Sequence, residues 1–301
     1  MLQGFAKGHR FGLWVKPKDH QVRAAILAVQ THGEENSAVR PILLRAALRL
    51  AAKGIVTLIL DPYGTGDSAG ESYDARLNDW RSDFMRAAHL IRTKYDAPFF
   101  IWGIRLGTLM ATDLLITQSD TTKGILMWAP LAHGRSWLDQ SSIDKSLSSL
   151  LLRASKTLET PAVLPEAPLD DLNSLVQIPP EEDGSPLLTT LDGTIYQAAL
   201  LEEIRHLSLA PVKSQHQEQA SARIGLFAMT SEPADPYKPS LSRPAPLALE
   251  TMEKAWKNAG YRVFAQAIEG EPFWKAACKL EPLELFEATE HWLETVLHEE
   301  K

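Results

Sequence analysis

Cysteine is nearly absent. Cys278 is the one thiol in 301 residues, which excludes a disulfide framework and a cysteine-ligated zinc site. No run of 18 apolar residues occurs, so nothing predicts a membrane-spanning helix. Residues 1–10 carry no apolar signal core. Positive charge is in deficit: 31 Lys and Arg against 38 Asp and Glu leave a net charge of −7. That is the wrong balance for the basic stripe of a nucleic-acid binder. Together these absences predict a soluble, cytoplasmic chain with no nucleic-acid partner and no membrane insertion. What is present suits a packed protein, because 45% hydrophobic and 23% charged residues exclude extensive disorder and supply a large core.

Apolar runs and punctuation alternate along the chain. Phe11 to Val15, Ala24 to Gln30, Ile55 to Leu60, Phe99 to Trp102 and Ile125 to Trp128 read as strands. The second of these is continuous rather than alternating, as a strand covered on both faces should be. Between them lie helical patterns: Ile42 to Lys53, headed by Pro41 and stopped by Gly54, then about Ala75 to Lys94, then Leu106 to Thr117. Such alternation builds a mostly parallel sheet with helices on both faces. It lapses between Leu131 and Pro211, where helical fragments surround a proline-rich stretch and no strand is evident. Alternation resumes with Ile224 to Met229, a helix near Ala248 to Asn258, the strand Tyr261 to Ala267 and a helix from Leu283 to His298. An interruption of ~80 residues is too long for a loop. The expected organisation is therefore a core of residues 1–130 and 212–301 with an inserted helical lid at 131–211.

Ligands of open parallel sheets bind beyond the carboxyl ends of the strands, so the loops there are the ones to search. After Trp102 the chain reads Gly103-Ile104-Arg105-Leu106-Gly107, between a strand and a helix. This is the setting of the G-x-S-x-G nucleophile elbow, with Arg105 where the nucleophile would stand. A guanidinium stays protonated and cannot attack an acyl group. Nearby, Gly66-Asp67-Ser68-Ala69-Gly70 does match G-x-S-x-G. Within Asp61 to Gly70, however, that serine reads as a residue bonding the turn backbone. The overlapping G-x-G-x-x-A string would suit a dinucleotide only if it followed the first strand and opened a helix, and it does neither. After Gln30 comes Thr31-His32-Gly33-Glu34-Glu35-Asn36, placed to supply an oxyanion-hole amide. The acid position falls on Asp235, before Pro236, with Glu232 as second choice. The loop after the last predicted strand, Ile268 to Trp274, contains Glu271 but no histidine where a catalytic base would lie.

These strings resemble the α/β-hydrolase superfamily, and within it the exosortase A system-associated hydrolases of the second type. The resemblance rests on Gly8-His9-Arg10-Phe11, Gly33 to Asn36, the Asp61 to Gly70 loop and Trp102 to Gly107. It extends through Trp128-Ala129-Pro130 and Leu191 to Tyr196 to Gly270-Glu271-Pro272-Phe273-Trp274. The arginine elbow and the Glu-Pro-Phe-Trp loop are its specific parts. It implies an α/β-hydrolase fold in an exopolysaccharide and protein-sorting context, with an ester or acyl hydrolase as the nominal activity.

A buried arginine at a helix N-terminus needs a counter-charge. Glu34, Glu35, Asp235 and Glu271 are the candidates. In one reading Arg105 forms a permanent pair with Asp235 or Glu271. In the other, Arg105 and the Thr31 to Asn36 amides hold an anionic group of a small-molecule or glycan ligand. Three functions follow. The first is an ester or acyl hydrolase without the usual serine and histidine, in which Asp235 or Glu271 activates water while Gly33, Leu106 and Arg105 hold the oxyanion. The second is a catalytically inactive protein binding an anionic glycan, an acyl intermediate or a partner protein. The third, a nucleotide-dependent oxidoreductase, rests on the glycine string alone. His32, Gly33, Glu34 and Leu106 are the expected oxyanion or ligand-binding residues, and Phe273 and Trp274 the candidate pocket walls, with packing against the C-terminal helix the stronger reading of Phe273. His32 and His133 are the histidines near enough to be weighed as bases. No cofactor and no metal are expected.

Overall fold

A computed structural model describes residues 1–18, 21–118, 121–141, 177–178, 186–191, 193–211, 222–230, 246–275 and 281–299. The chain begins with β1 (Gly12–Val15), β2 (Ala24–Val29), α1 (Glu34–Ala52), β3 (Ile55–Leu60), α2 (Leu77–Lys94), β4 (Phe99–Ile104), α3 (Leu106–Thr117) and β5 (Gly124–Trp128). It closes with β9 (Arg223–Thr230), α5 (Pro246–Asn258), β10 (Arg262–Glu269) and α6 (Leu283–His298). Seven of these strands form one sheet in the order β1-β3-β2-β4-β5-β9-β10. Only β1 runs antiparallel, pairing Gly12 with Leu60 through Val15 with Thr57. The others are parallel, as strand–helix–strand crossovers require.

The central strands are buried along their whole length because each side of the sheet has its own core. Ala25, Leu27, Val29, Ile101 and Met127 face one cluster, with α2, α3 and α5. Ala24, Ile26, Ala28, Trp102 and Trp128 face the other, with α1 and α6. Trp128 anchors the second core: its ring meets Trp102 edge-on at 4.5 Å and its Nε1 donates to Thr289 Oγ1 of α6 at 2.8 Å.

Chain order reverses beside β2. The chain steps from β2 to β3 on one side and then returns to β4 on the other. The loops leaving the carboxyl ends of β2 and β4 therefore diverge and leave a crevice, the place where open α/β sheets bind ligands. Those loops carry Thr31 to Glu35 and Arg105.

Two expectations about elements are corrected. The first helix starts at Glu34 rather than near Ile42, so Pro41 lies inside it. The proline removes one backbone donor, but burial of Val39, Ile42, Leu43, Ala46 and Ala47 holds the helix through that point. The stretch 131–211, expected as a helical lid, is not purely helical. It contains the helical residues 134–141 and α4 (Ala198–Arg205), and also β6 (Gln177–Ile178), β7 (Leu188–Leu191) and β8 (Thr194–Gln197) in a small antiparallel sheet. The β7–β8 hairpin turns on two residues, with Gly193 at φ 74. An Asp-Gly dipeptide at 192–193 is a strong hairpin signal. Residues 142–176 of the expected lid, Cys278, and the acid-position residues Glu232 and Asp235 lie outside the described residues.

Candidate functional site: an arginine at the strand–helix elbow

The turn between β4 and α3 is the sharp one expected from the glycine spacing. Arg105 sits at its apex with φ 54 and ψ −120, a conformation that side-chain-bearing residues rarely adopt. The flanking glycines make the turn possible. A Cβ on Gly107 would lie 1.9 Å from the Val29 carbonyl oxygen, and one on Gly103 would lie 2.7 Å from Thr108 Cα. The first turn of α3 is thus pressed directly onto the carboxyl end of β2. Leu106, the first residue of α3, is fully buried, and its backbone N–H belongs to the helix turn that has no intrahelical acceptor.

Arg105 is 4% exposed and its counter-ion is Glu35. Arg105 Nη2 donates to Glu35 Oε1 at 2.8 Å, and the Thr31 hydroxyl donates to Glu35 Oε2 at 2.8 Å. Glu35 stands in the first turn of α1, and Gly33 at its N-cap supplies no side-chain cap. A carboxylate there offsets the unfavourable meeting of the guanidinium with the α3 dipole. Nη2 also donates to Gln140 Oε1, from the helical residues 134–141 of the insertion. Trp274, after β10, lays its ring 4.2 Å from the guanidinium carbon, a cation–π contact. Arg105 Nε is buried without a hydrogen-bond partner.

The other expected residues separate into those that reach this cluster and those that do not. Glu271 is exposed, as is Glu34, and neither makes an ion pair among the described residues. The expected pairing of Arg105 with Glu271 is thereby corrected to Glu35, because α1 begins early enough to turn that carboxylate towards the elbow. Phe273 packs under the C-terminal helix rather than walling a pocket. It is fully buried, edge-on to Trp128 at 5.6 Å, and belongs to the core beneath α6. The side chain of His32 leaves the crevice and stacks on Trp80 with ring centres 3.9 Å apart and planes at 7°. Burial pushes its pKa down to about 3, so it is neutral at physiological pH. His133 is exposed, and its backbone pairs with Ser208. Ser68 is committed to structure: its hydroxyl donates to the Asp61 carbonyl at 2.5 Å and accepts from the Phe11 N–H at 2.9 Å. No helix opens there, since α2 begins at Leu77, which removes the basis for a dinucleotide site. Gln140 was invisible to sequence reasoning, because a glutamine in an irregular insertion carries no motif.

The family model described as serine aminopeptidase, S33, matches residues 20–181, more than half of the chain. The chain belongs to that family of α/β-hydrolases. Solved structures agree on the fold across its length. Est1E from Butyrivibrio proteoclasticus is 12% identical with a TM-score of 0.59, covering 98% of this chain and 97% of its own. A thermostable carboxyl esterase from Bacillus coagulans, solved with glycerol, is 14% identical at 0.57, covering 98% and 97%. A monoglyceride lipase variant from Saccharomyces cerevisiae, solved with a substrate analogue, is 11% identical at 0.59, covering 98% and 94%. No curated protein sequence matches the chain significantly. Within this S33 member, no described helix is long and apolar enough to cross a membrane. Among the described residues no group of three His, Cys, Asp or Glu side chains could hold a metal ion.

Proposed function

We propose that this S33-family protein binds an anionic acyl or glycosyl ligand at the elbow, in the exopolysaccharide and exosortase A context suggested by its sequence, and forms no serine-type acyl-enzyme. The observation that carries this reading is Arg105 itself, a strained, buried, always-charged donor at the apex where hydrolases of this fold place their nucleophile. Backbone strain of this kind persists where the surrounding packing enforces it, as the close approach of Gly103 and Gly107 does here, and it clusters at functional sites. The nearest serine in a matching motif, Ser68, has both its hydroxyl bonds engaged by backbone. His32, in the loop after β2, is neutral, buried and stacked. In this reading the 131–211 insertion is a cap over the crevice, and ligand oxygens meet Arg105 and the first-turn amides of α1 and α3.

A second reading is favoured by family membership together with the Glu35 carboxylate at the elbow. It is ester hydrolysis by carboxylate-activated water, with Arg105 and the Leu106 amide on the oxyanion. One experiment decides between the two: turnover of short and medium acyl esters by the wild type and by Arg105→Ala, with serine-directed covalent labelling alongside. Binding alone gives no turnover and no label in either protein. Turnover that disappears in Arg105→Ala establishes the second reading.

A further inference from the structure

Resting on the reading of Arg105 as the ligand-binding group, we infer that Gln140 occupies the place of a ligand carboxylate and is the exchangeable partner that sets affinity at this site. The argument begins with the donor geometry of arginine. Nε and Nη2 form one edge of the guanidinium, and a planar two-oxygen anion can engage both. This chain uses that edge twice elsewhere. Arg81 presents Nε and Nη2 to Asp113 Oδ2 at 2.8 and 2.6 Å, and Arg223 presents them to Glu299 Oε2 at 2.9 and 2.7 Å. At Arg105 the edge is incomplete. Nη2 has two hydrogens, which Glu35 Oε1 and Gln140 Oε1 accept, while Nε is buried with no acceptor. A buried donor on a charged group is costly to leave unsatisfied and calls for a partner.

The two acceptors on Nη2 are unequal. Glu35 is charged, and a second hydrogen bond from Thr31 holds its carboxylate. Gln140 is neutral and lies on the exposed side of its helix. Both bonds come from an ionised donor, but a carboxylate adds the attraction of opposite charges where the Gln140 amide offers only a dipole, so an incoming anion displaces Gln140 and leaves Glu35 in place. Once there, it satisfies Nη2 and the unmatched Nε together. Trp274 covers one face of the guanidinium at 4.2 Å, so the ligand must enter in the plane of the group. A planar carboxylate fits that slot, whereas a tetrahedral phosphate projects oxygens out of the plane. The ligand class is therefore a carboxylate, whether a uronate or the head of a fatty acid.

The test is calorimetric titration of the full chain with glucuronate and with hexanoate, using glucose and inorganic phosphate as comparison probes. The wild type should bind a carboxylate in preference to both comparison probes, and the carboxylate that binds more tightly identifies the source. Gln140→Ala should tighten that binding about tenfold by emptying the slot. Gln140→Glu, which places a tethered carboxylate in the slot, should weaken it by at least about tenfold. Carboxylate binding unchanged in Gln140→Ala but lost in Arg105→Lys would overturn the role of Gln140 and leave Arg105 as the binding group. Carboxylate binding unchanged in Arg105→Lys, or absent from wild type and Gln140→Ala alike, would overturn the Arg105 reading as well.

Discussion

At the scale of single residues, the chemistry turns on which charges are paired and which groups can move a proton. Replacing Arg105 with serine restores the G-x-S-x-G string but not a base, because His32 is locked against Trp80 and the loop after β10 has no histidine. Arg105→Ser should therefore show neither a burst of product nor serine-directed labelling, as stopped-flow kinetics and mass spectrometry would register. Glu35 is the counter-ion of a guanidinium that is 4% exposed. Glu35→Gln should destabilise the protein by about 2–3 kcal/mol in urea denaturation, since it leaves that cation without a full countercharge. His32 gives a signed pH effect. Its folded pKa, about 3, is below the usual 6.5, so the unfolded chain binds the proton that the folded chain refuses. The stabilising contribution is complete above about pH 6.5 and falls by up to about 1.4 kcal/mol per pH unit as pH drops below that value. His32→Phe, which keeps an aromatic ring against Trp80, should flatten this acid limb between pH 6.5 and 4.5. An unchanged slope in the variant would show that other groups set it.

Among the elements, the elbow is held by the close fit of α3 against β2, together with the hydrogen bond from the Arg105 N–H to the Trp128 carbonyl and the two that the Arg105 carbonyl accepts from Thr108. Gly107 is the tightest point, with its missing Cβ directed at the Val29 carbonyl. Gly107→Ala must push the first turn of α3 off the sheet, and overpacking of this kind costs about 1–3 kcal/mol or more. Chemical denaturation should show that loss, and carboxylate binding should weaken with it because Arg105 moves with the helix. The glycine spacing was readable from sequence, and so was the whole of α3, Leu106 to Thr117. The start of α1 was not. Pro41 reads as a helix N-terminus, and its place inside a longer helix shows only once the core that buries Val39, Ile42 and Leu43 is in place. The hairpin of β7 and β8 was missed for a different reason: strands of four residues are short for a periodic signal, although the Asp-Gly between them was available.

Over the whole molecule, the amino-terminal segment is tied to the core by a buried ion pair. Arg10 Nε donates to Asp83 Oδ2 of α2 at 2.6 Å, and Asp83 also accepts the Tyr63 N–H at 2.8 Å. Burial pushes the Asp83 carboxyl upward while Arg10 and the Tyr63 amide pull it back, the balance expected of a desolvated pair. Asp83→Ala should cost about 3–5 kcal/mol by leaving a buried guanidinium, whereas the double variant Arg10→Met with Asp83→Leu should cost less. A double-mutant cycle in denaturant measures the difference. The sequence by itself determined the strand–helix alternation and the elbow with its arginine, because these depend on local spacing and side-chain type. Only the tertiary structure decided that Glu35 rather than Glu271 meets Arg105, that His32 stacks on Trp80, and that Gln140 reaches the guanidinium. Each of these joins segments far apart in the chain, or depends on which way a side chain faces at the end of a strand. Sheet order and the packing of two cores settle such contacts, and local sequence does not encode them.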